Sequence, residues 1–325
     1  MIEKLNLSGP ADLLATIPHL LGITPKESFV VLTANAGALG ATLRVDAPEH
    51  VEPVNYAQTL TSHAANDDKA TASYLVVYTD ENQDSYPYAA HVAALVSELA
   101  AARMPVRNVW LVTSSYWTEF GTDEEHPLEQ ITDSHANATF TFFGSATDID
   151  VYNPALLGTW AMPVQAPEGN DADIEAACTA WAAVLDSTGT PDHDTARSIA
   201  GAFQHKMVRD FLFRETITTQ NGNFADVILG TFNGRPDWNR VDRAQSIAFE
   251  LMKAVPAGQR APMLTFMGWL EWLKGNGTQA ARYLKHADTD APGFRLAGLL
   301  QELINRGSVA EVARGPETSY QRHNN

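Results

Sequence analysis

Asp80, Ser114 and Ser115 each follow closely on a run of apolar, β-branched residues, Ser73 to Tyr78 in one case and Val106 to Thr113 in the other. Such runs read as buried strands. In open α/β sheets, ligands bind beyond the carboxyl ends of parallel strands, because backbone N–H groups and polar loop residues converge there. A carboxylate at that position serves as general base or metal ligand, and a hydroxyl serves as donor. Asp80, Ser114 and Ser115, with Trp117 beside them, are therefore the candidate catalytic residues. Asp46, which closes an earlier strand, joins them if that strand runs the same way. The competing reading is structural, since Asp and Ser after a strand also cap helices and shape turns.

Other chemistry-bearing patterns are sparse. The sequence contains no phosphate loop, no dinucleotide fingerprint between a strand and a helix, no zinc-protease helix pair and no nucleophile elbow. His19, His50, His63, His91, His126 and His135 are scattered without ligand spacing. His126 and His135, with Glu124, Glu125 and Asp133, come nearest to a metal cluster, and a solvated acidic loop explains them as well. The expectation is no metal site and no cofactor. The single cysteine, Cys178, leaves no internal disulfide, and Ala176, Ala177 and Trp181 around it suggest a buried small hydrophobe rather than a nucleophile.

The elements that position the strand ends can be read in order. Leu13, Leu14, Ile17, Leu20 and Leu21 recur at helical spacing after Ser8-Gly9-Pro10, and Gly22 stands where a left-handed cap ends a helix. Pro25 prevents resumption, and Ser28 to Thr33 follow as a strand. Asn35-Ala36-Gly37 is a hairpin turn into Leu39 to Val45, and Val54 to Ala64 is a helix. Tyr86-Pro87 to Ala102 is an alanine-rich helix between the two strongest strands, which implies a parallel pair with a right-handed crossover. Ile2 to Leu7 and Thr139 to Phe143 read as further strands. The fold class is α/β, an N-terminal mixed, partly parallel sheet flanked by helices, with an all-helical C-terminal part.

Pro, Gly, Asn and Asp between Gln165 and Asp173 mark a boundary. The expected organisation is an α/β sandwich over 1–165, a helical domain over 166–315 and a disordered polar tail over 316–325. In the helical part, Ile174 to Leu185, Ala196 to Ile217, Phe224 to Leu229, Val241 to Lys253, Pro262 to Leu273, Thr278 to His286 and Pro292 to Asn305 are helix candidates. Trp269 to Leu273, Gly275, Ala280, Tyr283, Leu284 and Ala287 resemble one tetratricopeptide-type hairpin. A helical bundle is the simpler alternative to a repeat array. Trp269, Trp272 and Tyr283 are the candidate partner contacts, with core packing the competing role.

Gly9-Pro10-Ala11-Asp12-Leu13-Leu14, then Pro18-His19-Leu20-Leu21-Gly22, Pro25, Ser28, Val30, Val31 and Arg44-Val45-Asp46, resemble the start of the actinobacterial domain of unknown function 4192 (DUF4192) family. Trp269-Leu270-Glu271-Trp272-Leu273-Lys274-Gly275-Asn276-Gly277, with Ala280, Ala287, Arg295-Leu296-Ala297 and Leu299-Leu300, is similar to that family's C-terminal signature. The middle departs from the pattern: Tyr116-Trp117 is followed by Glu124-Glu125-His126-Pro127 and no cysteine, where many members of the family carry a tryptophan-serine step followed by clustered cysteines and a proline. The resemblance implies an actinobacterial cell or one of its viruses as the setting, and no reaction.

Composition narrows the functional classes. A net charge of −17 over 325 residues disfavours a broad nucleic-acid footprint and anionic membranes. Arg197, Lys206, Arg209 and Arg214 lie close enough in sequence to form a local basic patch, and a solvated helix face accounts for them. No signal peptide opens the chain and no apolar run approaches the roughly 20 residues of a spanning helix, so a cytoplasmic protein is expected. The leading functional expectation is an interaction or scaffold protein that binds a protein partner through its helical half, with self-association also open. The alternative is an enzyme or small-molecule binder at the strand ends, with hydrolase-like or phosphate-ester chemistry. Nucleic-acid binding ranks last.

Overall fold

The structure is a computed structural model that describes residues 7–80, 88–142, 147, 163–217, 223–315 and 317–320. The chain divides into two compact units, one within Met1–Ile149 and the other within Asp150–Arg322.

The first unit begins with α1 (Pro10–Leu21), which Gly22 ends at φ 70°. Only glycine adopts that left-handed conformation without steric cost. A hairpin follows, β1 (Ser28–Asn35) and β2 (Ala38–Asp46), whose turn residues Ala36 and Gly37 both have positive φ. That is the mirror-type turn whose twist matches paired strands. Then come α2 (Pro53–Ala64), β3 (Ala72–Tyr78), α3 (Ala89–Ala101), β4 (Val106–Val112), β5 (Tyr116–Glu119), β6 (His126–Pro127), α4 (Glu129–Thr132) and α5 (His135–Phe142).

The strands form one six-stranded sheet in the order β2-β1-β3-β4-β5-β6, with β3 and β4 parallel and the other pairs antiparallel. Side chains alternate across a strand, so β1 and β3 each feed two cores. Phe29, Val31, Leu75 and Val77 pack with α2 and α3 on one face, whereas Val30, Leu32, Val76 and Tyr78 pack with α1 on the other. Covering both faces is why these strands read as unbroken apolar runs rather than as alternation.

The expected strand at Thr139 to Phe143 is instead part of α5, over the residues described. Tertiary anchors hold the helix: the Ala136 N–H donates to Asp12 Oδ1 at 3.0 Å, and the His19 ring stacks on Phe140 at 4.8 Å. The strand expected over residues 2–7 and the start of the helix expected from Tyr86-Pro87 lie outside the described residues, apart from Leu7.

The second unit contains α6 (Asp171–Asp186), α7 (His193–Ala202), α8 (Lys206–Ile217), α9 (Phe224–Ile228), α10 (Trp238–Lys253), α11 (Ala261–Leu273), α12 (Gly277–Asp290), α13 (Arg295–Asn305) and α14 (Glu311–Arg314). α6 starts with a reciprocal capping box between Asn170 and Asp173. The single helix expected over Ala196 to Ile217 is broken. Gln204 and His205 make tight backbone bonds to Gly201 and Ala202, and the turn buries Phe203 completely. Every residue of α11 is buried, the situation of a central bundle helix. Gly268 lets α12 approach it, since a Cβ there would lie 3.0 Å from Leu284 Cγ and 3.1 Å from the Ala280 carbonyl.

Of the C-terminal segment expected to be disordered, residues 317–320 are packed. Trp238 Nε1 donates to the Thr318 carbonyl at 3.0 Å, and the Tyr320 hydroxyl bonds Asp242 at 3.0 Å. Residues 316 and 321–325 lie outside the described residues.

Candidate functional site

The strand register places Asp46 and Tyr78 on either side of Ser28, and Tyr78 beside Val112. β2, β3 and β4 therefore end at one edge of the sheet, and Asp46 lies on the same rim as Asp80 and the Ser114-Ser115 turn. Asp46 is two strands away from Asp80 across β1, and its exposed carboxylate pairs with Arg44 at 2.6 Å.

Asp80 and Ser114 are brought together. The Ser114 N–H donates to Asp80 Oδ1 at 2.6 Å. Thr113, Ser114 and Ser115 link β4 to β5, and Thr113 locks the turn. Its N–H donates to the Tyr116 carbonyl at 2.9 Å, and its hydroxyl oxygen accepts from the Ser115 and Tyr116 N–H groups at 3.1 and 3.0 Å. Both serines are exposed.

A residue to which sequence reasoning assigned no role completes the rim. Glu27 sits at φ 37°, in left-handed backbone, and its carbonyl accepts from the Ala47 N–H at 2.8 Å. Its carboxylate reaches across to β3: Oε2 accepts the Thr79 hydroxyl at 2.7 Å and Oε1 accepts the Asp80 N–H at 2.9 Å. Glu27, Thr79, Asp80 and Ser114 thus form a continuous chain of hydrogen bonds in which carboxylates satisfy the backbone donors of strand ends. Asp80→Ala is expected to cost roughly 1 kcal/mol, the net worth of one such bond, in thermal unfolding. A loss several times larger would show that the rim holds more than its own turn.

Trp117 points away from this rim chemistry. It is 5% exposed, packs in the core on the α1 face, and stacks on His126 at 4.3 Å. Its indole Nε1 is buried without a hydrogen-bond partner. His126 Nε2 lies 3.9 Å from Glu124, and His135 opens α5. Among the described residues, no group of three or more His, Cys, Asp or Glu side chains is placed to hold a metal ion. Cys178 is partly buried, and burial, with Glu215 nearby, pushes its thiol pKa up. A protonated thiol is a poor nucleophile.

The tryptophans of the helical unit are core residues. Trp269 and Trp272 are 0% and 4% exposed, and their Nε1 atoms donate to the Ile228 and Ser308 carbonyls at 3.0 and 2.7 Å. Tyr283 is 6% exposed, and burial, with the Glu271 charge, pushes its phenol pKa up to about 12. The polar residues of the same stretch form a network. Glu271 accepts from Gln245 at 2.6 Å and from Asn276 at 2.7 Å, while Lys274 bonds Gln245 and Asp242 at 2.6 Å each. The C-terminal signature is thereby explained as packing and satisfaction of buried polar groups. Arg209, one of the four residues of the local basic cluster, is buried, bonded to Asp210 and placed over the Phe294 ring.

A larger concavity lies elsewhere on the helical unit. A groove of about 760 Å³ runs between the end of α6, α8 and the start of α10, lined by Leu185, Asp186, Glu215, Asp237, Arg240 and Arg243 among others. Arg240 is fixed by Asp186 at 2.7 Å and Glu215 at 3.3 Å. Arg243 donates to the Gly189 carbonyl and to Ser187 Oγ and has no carboxylate partner among the described residues. Sequence spacing could not have shown this site, because Asp186, Glu215 and Arg240 meet only in the folded unit. Asp80, Ser114, Ser115 and Asp46 do not line it.

The chain is thus a two-part protein, an α/β unit with helices on both faces of a mixed sheet and a helical unit with a charged groove. It belongs to the family described as Domain of unknown function (DUF4192), whose profile matches residues 10–151 and 157–310. No curated protein and no solved structure matches the chain. No described helix is long and apolar enough to cross a membrane.

Proposed function

We propose that this chain is a docking module of the cytoplasm that binds a protein partner through the groove between α6, α8 and α10. The observation that carries the reading is Arg243, a guanidinium in a groove wall that, among the described residues, holds a hydroxyl and a backbone carbonyl and no carboxylate, and so keeps capacity for an incoming acceptor. Arg240 beside it is already neutralised, so it shapes the wall, and Arg243 supplies the specific contact. The buried tryptophans take no direct part. The alternative, an enzyme or small-molecule binder at the strand ends, has weaker support, because the Asp80 carboxylate and the Glu27 carboxylate are both engaged with the backbone.

The test is affinity capture from host lysate with the full chain and with Arg243→Glu and Asp80→Ala, followed by a binding isotherm with the purified partner. A partner retained by Asp80→Ala and weakened roughly tenfold or more by Arg243→Glu supports the groove, since losing a charge-assisted bond is worth about 1.5–3 kcal/mol. Capture indifferent to Arg243→Glu, or abolished by Asp80→Ala alone, would sink it.

A further inference from the structure

The dipeptide Asn-Gly occurs three times in the chain, at Asn221-Gly222, Asn233-Gly234 and Asn276-Gly277. In this pair the asparagine side chain is readily attacked by the amide that follows it, because glycine has no Cβ to shield that nitrogen. Reaction still needs a side chain free to turn onto the backbone, an amide free to lose its proton, and room for the ring that forms.

Asn233-Gly234 meets each condition. The pair lies in the loop between α9 and α10, exposed between the buried residues Phe232 and Pro236. Neither the Asn233 carboxamide nor the Gly234 N–H has a hydrogen-bond partner among the described residues. Gly234 has φ 94°, and a Cβ built there would meet nothing within 4 Å, so the backbone is open to water. Asn276-Gly277 is held instead. Asn276 Nδ2 donates to Glu271 Oε2 at 2.7 Å, its N–H donates to the Glu271 carbonyl at 2.8 Å, and its carbonyl accepts from the Ala280 N–H at 2.9 Å, at the start of α12. Asn221-Gly222 lies outside the described residues.

We propose that Asn233-Gly234 is a modification site, at which the asparagine deamidates spontaneously through a succinimide, consuming water and needing no cofactor. The Gly234 nitrogen gives its proton to base and attacks Asn233 Cγ, forming a C–N bond, and Nδ2 takes up a proton and leaves as ammonia. Water then opens the ring. Attack at Cγ restores the ordinary linkage with an aspartate at 233, whereas attack at the Asn233 backbone carbonyl carbon leaves the chain running through Cγ, an isoaspartyl linkage. Either product adds one negative charge to the loop that leads into α10. The charge appears two residues before Arg235, whose guanidinium donates to the Glu317 carbonyl at 3.2 Å. The modification does not depend on the docking role proposed for the groove.

The test is peptide mapping by mass spectrometry of the full chain held in mildly alkaline and mildly acidic buffer, with and without urea. In the folded chain, the peptide spanning Asn233-Gly234 is expected to gain the mass difference between an amide and an acid and to split into aspartyl and isoaspartyl forms, faster in alkali than in acid. The peptide spanning Asn276-Gly277 is expected to react roughly tenfold or more slowly, the factor that about 1.4 kcal/mol of local opening imposes. In urea the two rates are expected to converge, because nothing then holds Asn276. Asn233→Gln is expected to abolish the change at its own peptide alone. A folded chain that keeps the amide at position 233, or loses the one at 276 as quickly, would overturn the proposal, as would equal rates in the two buffers or a rate ratio that urea leaves unchanged.

Discussion

Trp269→Ala is expected to destabilise the helical unit by about 3–5 kcal/mol, read as a lower urea midpoint of its unfolding transition. The residue is 0% exposed, its ring stacks on Phe213 at 4.9 Å and lies against Phe266 at 6.0 Å, and its indole donates to the Ile228 carbonyl at the end of α9. Truncation removes the largest kind of side chain from the centre of α11, opens a cavity between α8 and α11, and leaves a carbonyl without its donor. With a typical total of about 5–15 kcal/mol available to a domain, such a loss leaves little in reserve. Trp269→Phe separates the contributions: it retains an aromatic ring against Phe213 and is expected to cost about 1–2 kcal/mol, mostly for the lost hydrogen bond and the smaller ring. A surface tryptophan held for a partner would behave differently. Its replacement would change stability by less than about 0.5 kcal/mol while reducing binding, and that outcome would contradict the packing described here.

The prediction also shows what the sequence could and could not convey. The strands β1, β3 and β4 were legible because a sheet covered on both faces turns every strand position apolar. β5 was not, because Tyr116 to Glu119 is short and lies toward the end of the sheet, with only Trp117 and Thr118 buried. α5 was misread for a related reason. Thr139-Phe140-Thr141-Phe142 alternates like a strand, yet the helix is held by contacts made through Asp12 and His19, residues more than a hundred positions earlier. Phe142 is left largely exposed by that choice, which local patterning alone would not select. The interruption between α7 and α8 carries no proline, and Phe203 is fully buried at it.

The rim was legible in part. A carboxylate and a serine following two parallel strands do meet, but the partner of Asp80 is a backbone N–H of the Ser114 turn rather than a hydroxyl. Glu27 escaped notice because its role depends on a positive φ that a glutamate seldom adopts. The groove on the helical unit was not legible at all. Its residues lie on three helices at sequence separations that no local motif spans, and only folding sets Arg240 between Asp186 and Glu215. Trp117 belonged to the expected rim by position in the chain, yet strand alternation turned its side chain into the core.

Asp12→Asn is expected to lower stability by about 1–3 kcal/mol near neutral pH, and the gap between variant and wild type is expected to close only in acid. Burial acts to raise the Asp12 pKa, but the Ser8 hydroxyl, the Ala136 and Ser8 amides and the charge of His135 together outweigh it, so the group lies below its ordinary value. A carboxylate whose pKa is lower in the folded chain than in the unfolded chain contributes stability above the unfolded value, about 3.9, and loses it as pH falls through the folded value. The measurement is urea unfolding of both proteins from about pH 7 down to about pH 3. A constant gap above about pH 5 that narrows below about pH 4 follows from these bonds. If burial prevailed instead, the carboxyl would take up its proton nearer neutrality, and the gap would shrink well before acid conditions were reached. The two profiles differ in where the curves converge, so the experiment separates a carboxylate that joins the starts of α1 and α5 from one that is merely enclosed.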